Sequence, residues 1–218
     1  MRRFQPRLIP LIATGVGVAI FLRLGWWQWT KALTVEAAAT AFEARHGQNP
    51  MPIGAALIDP QTINGMPVIV RGQYEAAGQF FLDNRQENGR PGVHVITPLK
   101  IENSQTRVLI NRGWVGWGES RQHLPNVATP SGVIEVHGTA TQPPTKKFFL
   151  ISQEAGNTDQ LKNRIDLTQL RDASSAPLQG FVIEQDTNDA DDVLIRHWSA
   201  PENKAQMHRG YALQWLLI

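Results

Sequence analysis

The first thirty residues decide what this chain can fold into. Leu8–Leu22 contains no charged side chain and is rich in Leu, Ile, Val, Ala and Gly; Arg23 interrupts, and Leu24–Trp29 resumes with Trp26, Trp27 and Trp29. From Leu8 to Trp29 the run would make about 33 Å of helix at ~1.5 Å per residue, matching a hydrocarbon layer of ~30 Å. Arg23 falls near the far end, where its stem can carry the guanidinium to the headgroups, and tryptophan is the residue expected at that depth. Met1–Arg7 holds Arg2, Arg3 and Arg7 and no acid, which places the tip in the cytoplasm and everything after Trp29 outside it. The expectation is a cytoplasmic tip (1–7) and a transmembrane helix (8–29). A cleavable signal peptide competes, because Ala37-Ala38-Ala39 offers an A-x-A site. That site lies well beyond the apolar run, with Arg23 and the tryptophans between, which favours an uncleaved anchor.

Leu33, Ala37, Ala41 and Ala44 continue at three- and four-residue steps, and Gly47 is the first plausible stop, so residues 30–47 read as a helical stalk. At the other end, 201–218 becomes apolar just as the chain stops at Ile218. Ten residues after His208 make about 15 Å of helix, too little to span a bilayer. The stretch reads either as the opening of a second membrane helix, apparently truncated, or as a short helix that dips in.

Between them, 48–200 has the texture of short strands split by turn residues such as Asn64-Gly65, Asn88-Gly89 and Pro91-Gly92. The runs Val68–Tyr74, Gln79–Asp83, Val93–Ile101, Arg107–Val115, Val133–Thr141, Phe148–Ser152 and Phe181–Gln185 are the expected strands, with one short helix over Asp166–Ala173. The fold class expected is membrane-anchored α+β. Its outer domain is mainly antiparallel and barrel-like, and membrane helices bracket it.

Chemistry is constrained mostly by what is missing. There is no cysteine, and so no disulfide, thiolate nucleophile, iron–sulfur cluster or cysteine zinc site. Twenty-one Lys and Arg against 19 acids give a net charge of +2, which argues against a nucleic-acid binder. No nucleophile elbow, P-loop or H-E-x-x-H occurs, the Asp186–Asp192 loop lacks EF-hand register, and the six histidines never stand at metal-helix spacing. The chain does not read as a self-sufficient enzyme.

Three constellations remain. Leu24-Gly25-Trp26-Trp27-Gln28 closes the anchor and also suits an ordinary aromatic belt with a small residue for helix packing. Asn111-Arg112-Gly113-Trp114 ends a strand, with a turn expected at Gly113; an Arg beside a Trp also suits an acidic group. His208-x-x-Tyr211-x-x-x-Trp215 puts three side chains on one helical side, an arrangement that suits either an interfacial histidine or an imidazole ligating haem iron.

Together these segments resemble the surfeit-locus family of cytochrome c oxidase assembly factors. The likeness runs through Leu24-Gly25-x-Trp27-Gln28, then Asn84-Arg85 followed by Gly92–Leu99 (G-x-x-V-x-x-P-L). It continues through Val108–Val115 with Asn111, Arg112, Gly113 and Trp114, and ends on His208-x-Gly210-Tyr211-Ala212-x-Gln214-Trp215. Their order and spacing cover nearly the whole chain. The resemblance implies two membrane helices around an extracytoplasmic domain and a non-enzymatic role in oxidase maturation, linked to placing haem a in the catalytic subunit. It implies the oxidase subunits as partners, with the haem a biosynthesis enzyme as a further candidate, and a bacterial inner membrane with a periplasmic main domain. His208 matches the second-helix histidine proposed as a haem ligand in bacterial members. The family's second helix runs on past the Gln-Trp pair, whereas here the chain stops at Ile218.

A haem a carrier needs one axial ligand, an apolar slot and cations for the propionates. His208 supplies the ligand in this reading, with Tyr211 and Trp215 covering the ring and Arg23 or Arg209 pairing the propionates. Gly15, Gly17 and Ala19 leave room beside the first helix. Arg85 and Arg112 are expected in structure or oxidase docking rather than in haem contact. Two rivals stand beside this reading: a scaffold that holds an oxidase subunit without haem, and an anchored hydrolase.

Overall fold

The computed structural model describes residues 8–118, 121, 123–143, 160–186, 193–198 and 204–217. It forms two compact units, one of 1–43 with 199–218 and the other of 44–198. The expected strand Phe148–Ser152, the tip 1–7 and most of the acidic loop lie outside the described residues.

The first unit is built on α1 (Leu8–His46), a single 39-residue helix that follows the apolar run and the stalk pattern without a break. Polar side chains within it satisfy themselves: the Thr14 hydroxyl donates to the Pro10 carbonyl and that of Thr30 to the Trp27 carbonyl, each at 2.9 Å. Such back-bonding removes the cost of carrying a hydroxyl on an apolar surface. Among the described residues, α1 is the one helix long and apolar enough to cross a membrane. Its partner α4 (Ala205–Leu217) has 13 residues, about 20 Å of helix, short of a span.

The second unit holds one eight-stranded sheet. Its strands are β1 (Met51–Ile53), β2 (Pro67–Tyr74), β3 (Phe80–Glu87), β4 (Arg90–Ile101), β5 (Arg107–Gly116), β6 (Val133–Thr141), β7 (Leu161–Lys162) and β8 (Leu178–Gln185). Their order is β1-β2-β6-β8-β5-β4-β3-β7, and β2 also pairs with β4. Neighbours β2/β6, β2/β4, β3/β4, β4/β5 and β6/β8 run antiparallel, whereas β1/β2, β3/β7 and β5/β8 are parallel. Most pairs are antiparallel, as expected of a mainly antiparallel domain, and the parallel β5/β8 pair has a plain reason. The connection from β5 to β8 carries β6, β7 and a helix, long enough to bring the chain back in the same direction.

Period-two alternation divides the side chains between two faces. Val68, Val70, Val108, Ile110, Phe181 and Ile183 pack on one, while Phe80, Leu82, Ile96, Leu109 and Val182 pack on the other beneath Leu167 and Leu170 of α3 (Leu167–Ala173). The Asp166 carboxylate caps α3 by accepting from the Gln169 N–H at 3.1 Å, as a helix N-terminus requires. A fourth helix, α2 (Pro60–Ile63), is a single turn capped by Asp59.

The expected turn at Gly113 is corrected by the fold. β5 runs on to Gly116, and the register against β4 steps from Ile96–Asn111 to Val95–Gly113, so Arg112 is the extra residue of a bulge. Gly113 sits at φ 138°, and a Cβ there would lie 2.9 Å from the Ile195 carbonyl oxygen and 2.9 Å from Leu194 Cβ. A strand-forming sequence therefore bends without stopping, because segment 194–196 bridges to Trp114. Gly113→Ala should destabilise the domain by about 2–3 kcal/mol through strain and backbone clash. A thermal melt of the purified chain checks this, with a clearly lowered Tm as the expected outcome.

Candidate functional site

On α1, Phe21, Gly25, Gln28, Ala32 and Glu36 recur at steps of three and four and form one stripe. Against this stripe α4 lays Ala205, His208, Arg209, Ala212, Trp215 and Leu216. Gly25 is the point of closest approach: a Cβ there would lie 3.1 Å from Leu216 Cδ2 and 3.4 Å from the Ala212 carbonyl oxygen. Ala32, Ala205 and Ala212 are buried, so small side chains let the two backbones near one another. Phe21 stacks on Trp215 with ring centroids 5.8 Å apart. Above that stack, His208 Nδ1 lies 2.8 Å from Gln28 Oε1. An amide oxygen can only accept, so Nδ1 donates, and in the neutral tautomer Nε2 then carries the lone pair. Arg209, the next residue, pairs with the Glu36 carboxylate.

Not every expected site residue joins this pair. Arg23 is two residues from both Phe21 and Gly25, roughly 200° around the helix. It lines a groove with Ile20, Leu24, Trp26, Trp27 and Thr30 on the opposite side of α1. Trp27 is 56% exposed there. On α4, Tyr211 is 47% exposed and Gln214 is exposed, while His208 and Trp215 face α1. Seven residues return almost to the same azimuth, whereas three fall roughly 60° short of a full turn, which separates Tyr211 from the other two. Gly15 and Gly17 have open space around them. Glu36 is the residue that sequence reading missed; its place in the stripe at four residues beyond Ala32 was the available signal.

The β domain gathers a second polar group. Arg112 is 2% exposed and donates to Gln79 Oε1 at 3.1 Å and to the Ala128 carbonyl at 2.9 Å, with its guanidinium over the Tyr74 ring. It thus braces the interior from the bulge and is not available at the surface for docking. Asn111 faces the other way, where its Nδ2 donates to His94 Nδ1 at 3.1 Å while its Oδ1 is buried without a partner. Trp114 sits opposite His94 in register, donates from Nε1 to the Arg85 carbonyl at 3.4 Å, and lies so close over Gly92 that a Cβ there would meet its ring at 2.5 Å. Glu184 of β8 pairs in register with Asn111. Burial pushes its carboxyl up to about 7. Burial, and then the Arg85 charge, depress the His94 imidazole to about 4. Burial also lowers Arg85, against the opposing pull of Asp83. Among the described residues no group of three or more His, Cys, Asp or Glu is placed to hold a metal ion.

These two clusters contain the segments that the sequence singled out at both ends of the chain and in its middle. The family model described as the SURF1 family matches residues 16–218, nearly the whole chain. The chain belongs to the SURF1 family. No curated protein matches it. The SURF1 family is linked to cytochrome c oxidase assembly and is an assembly-factor family, not a known enzyme class.

In this SURF1-family chain Glu184 and His94 give stability a defined pH dependence. Glu184 is raised in the folded state, so its contribution is full below about 4.5 and withdrawn as pH climbs to about 7. His94 is depressed, so its contribution is full above about 6.5 and lost as pH falls towards 4. Between about 4.5 and 6.5 the two slopes oppose and nearly cancel, so Glu184→Gln, which removes the falling one, should turn a nearly flat Tm profile into one that rises with pH. Thermal unfolding of both proteins across that range checks it; parallel curves would contradict the assignment.

Proposed function

We propose that this chain is a bacterial oxidase-assembly factor that carries haem a on His208 and hands it to the haem-bearing catalytic subunit. α1 is then the anchor of a protein of the inner membrane, with its N-terminus cytoplasmic and its sheet domain periplasmic. The cationic residues ahead of Leu8 and the tryptophans at the other end support that orientation. β2 pairs with β6 and with β4, so β2, β6, β8, β5 and β4 connect in a circuit, which supports the barrel-like reading of the domain. Oxidase subunits are the partners, and the haem a biosynthesis enzyme is the donor.

The observation that carries the haem reading is the His208–Gln28 bond at 2.8 Å. Histidines that bind metals usually donate from one nitrogen to a neighbouring acceptor, which fixes the tautomer and aims the other nitrogen. Gln28 does this for His208 and leaves Nε2 as a neutral donor atom, the form that iron takes from imidazole. Trp215, stacked on Phe21 one helical face away, supplies apolar cover. Arg209 is the cation nearest in sequence, with Glu36 holding it in place; Arg23, on the far side of α1, is the weaker candidate for a propionate.

Expression with and without haem a synthesis, followed by absorption spectra of the detergent-purified protein, tests this reading. The expected outcome is a Soret band that needs haem a synthesis and disappears in His208→Ala. Gln28→Leu should keep the band but weaken haem affinity by roughly 10–100-fold, the usual cost of losing such a partner. Pigment unaffected by His208→Ala would reject the ligand role, and colourless protein that still co-purifies with oxidase subunits would favour the scaffold.

A further inference from the structure

We infer that Arg85 and His94 form a receptor for a carboxylate on the sheet face that α3 covers at its other end. The site is independent of the haem reading and rests on how two bulges turn side chains to one place. β3 pairs Leu82 with His94 and then Arg85 with Gly92, so three residues on one strand span two on the other, and Asn84 takes φ 59°. Without the extra residue, Arg85 would point to the face opposite Leu82; with it, Arg85 joins His94. The β5 bulge does the same for Trp114, bringing it opposite His94 on the face that Asn111 also occupies.

The resulting group has an unmet requirement for negative charge. Arg85 is half-buried, and its guanidinium makes no hydrogen bond or ion pair among the described residues. The acids around it are committed elsewhere: Asp83 accepts from Arg121 with both oxygens, at 2.9 and 3.1 Å, and Glu87 is bound to His197 at 2.8 Å. Glu184 lies on β8, two strands beyond His94, and burial works against its ionised form. His94 accepts at Nδ1 from Asn111, so its Nε2 bears the proton as a neutral N–H donor; it lies two residues along β4 from Gly92, the register partner of Arg85. The Trp198 ring meets His94 edge-on at 5.5 Å and walls one side. A planar cationic fork with one added N–H donor fits the single charge and two oxygens of a carboxylate. The carboxylate arrives on an acidic peptide side chain or on a free small acid.

The test uses the full chain in detergent with ring-labelled histidine, following the His94 resonances by NMR. Propionate and a capped Gly-Glu-Gly peptide are titrated separately, with propionamide as the uncharged control. Both carboxylates should give a saturable shift of His94 that propionamide does not. Arg85→Gln should weaken it by about tenfold or more, Arg85→Lys by less, and His208→Ala not at all. Tighter binding of the peptide than of propionate identifies an acidic protein segment as the source; equal binding identifies a free acid. No saturable shift with either probe, or an unchanged response in Arg85→Gln, overturns the receptor.

Discussion

One partly buried polar contact, His208 with Gln28, sets how two helices meet that otherwise pack largely through apolar and small side chains. A glutamine amide and an imidazole on facing helices each lose water when the helices pack, and each is costly to bury alone. Paired, they fix both rotation and register, and they do so only because Gly25, Ala32, Ala205 and Ala212 let the backbones approach. Phe21 on Trp215 below and Glu36 with Arg209 above continue the same stripe. Disturbing the glycine therefore disturbs the imidazole, although the two never touch. The chemistry of His208 follows from this packing: an acceptor on Nδ1 leaves the lone pair of the neutral ring at Nε2.

The sheet domain uses backbone irregularity in the same way. Two bulges, at Asn84 and Arg112, change which face the following side chains occupy. One consequence is an arginine held inside, over Tyr74 and bonded to Gln79 and the Ala128 carbonyl. The other is the group of Arg85, His94, Asn111 and Trp114 on the opposite face of the sheet. Membership of the SURF1 family places these residues in a protein linked to oxidase assembly, where a sheet domain that captures an acidic group has an evident use.

Much of this was legible in the sequence. Val133–Thr141 is a strand with the expected bounds, because its alternation is flanked by turn residues on both sides. α3 begins after the Asp166 cap, and α1 runs through the stalk to His46. The short strands were not legible: Met51–Ile53 and Leu161–Lys162 exist because a longer neighbour accepts them in parallel, not through any pattern of their own. The bulge at Gly113 was hidden for a similar reason, since glycine after a strand signals a turn unless a distant segment, here 194–196, bridges across. In the helix pair, the sequence gives depth along the axis more readily than azimuth. His208 and Trp215, seven apart, stayed together, while Tyr211, Gln214 and Arg23 sit at the right depth and face elsewhere.

The most direct measurement of the central contact is the nitrogen NMR spectrum of His208 in the detergent-solubilised, haem-free protein at neutral pH. The account predicts that the neutral form of the ring holds its proton on Nδ1 rather than Nε2, and that this preference is lost in Gln28→Leu. A ring protonated at Nε2, or one whose state is the same with and without Gln28, would contradict it.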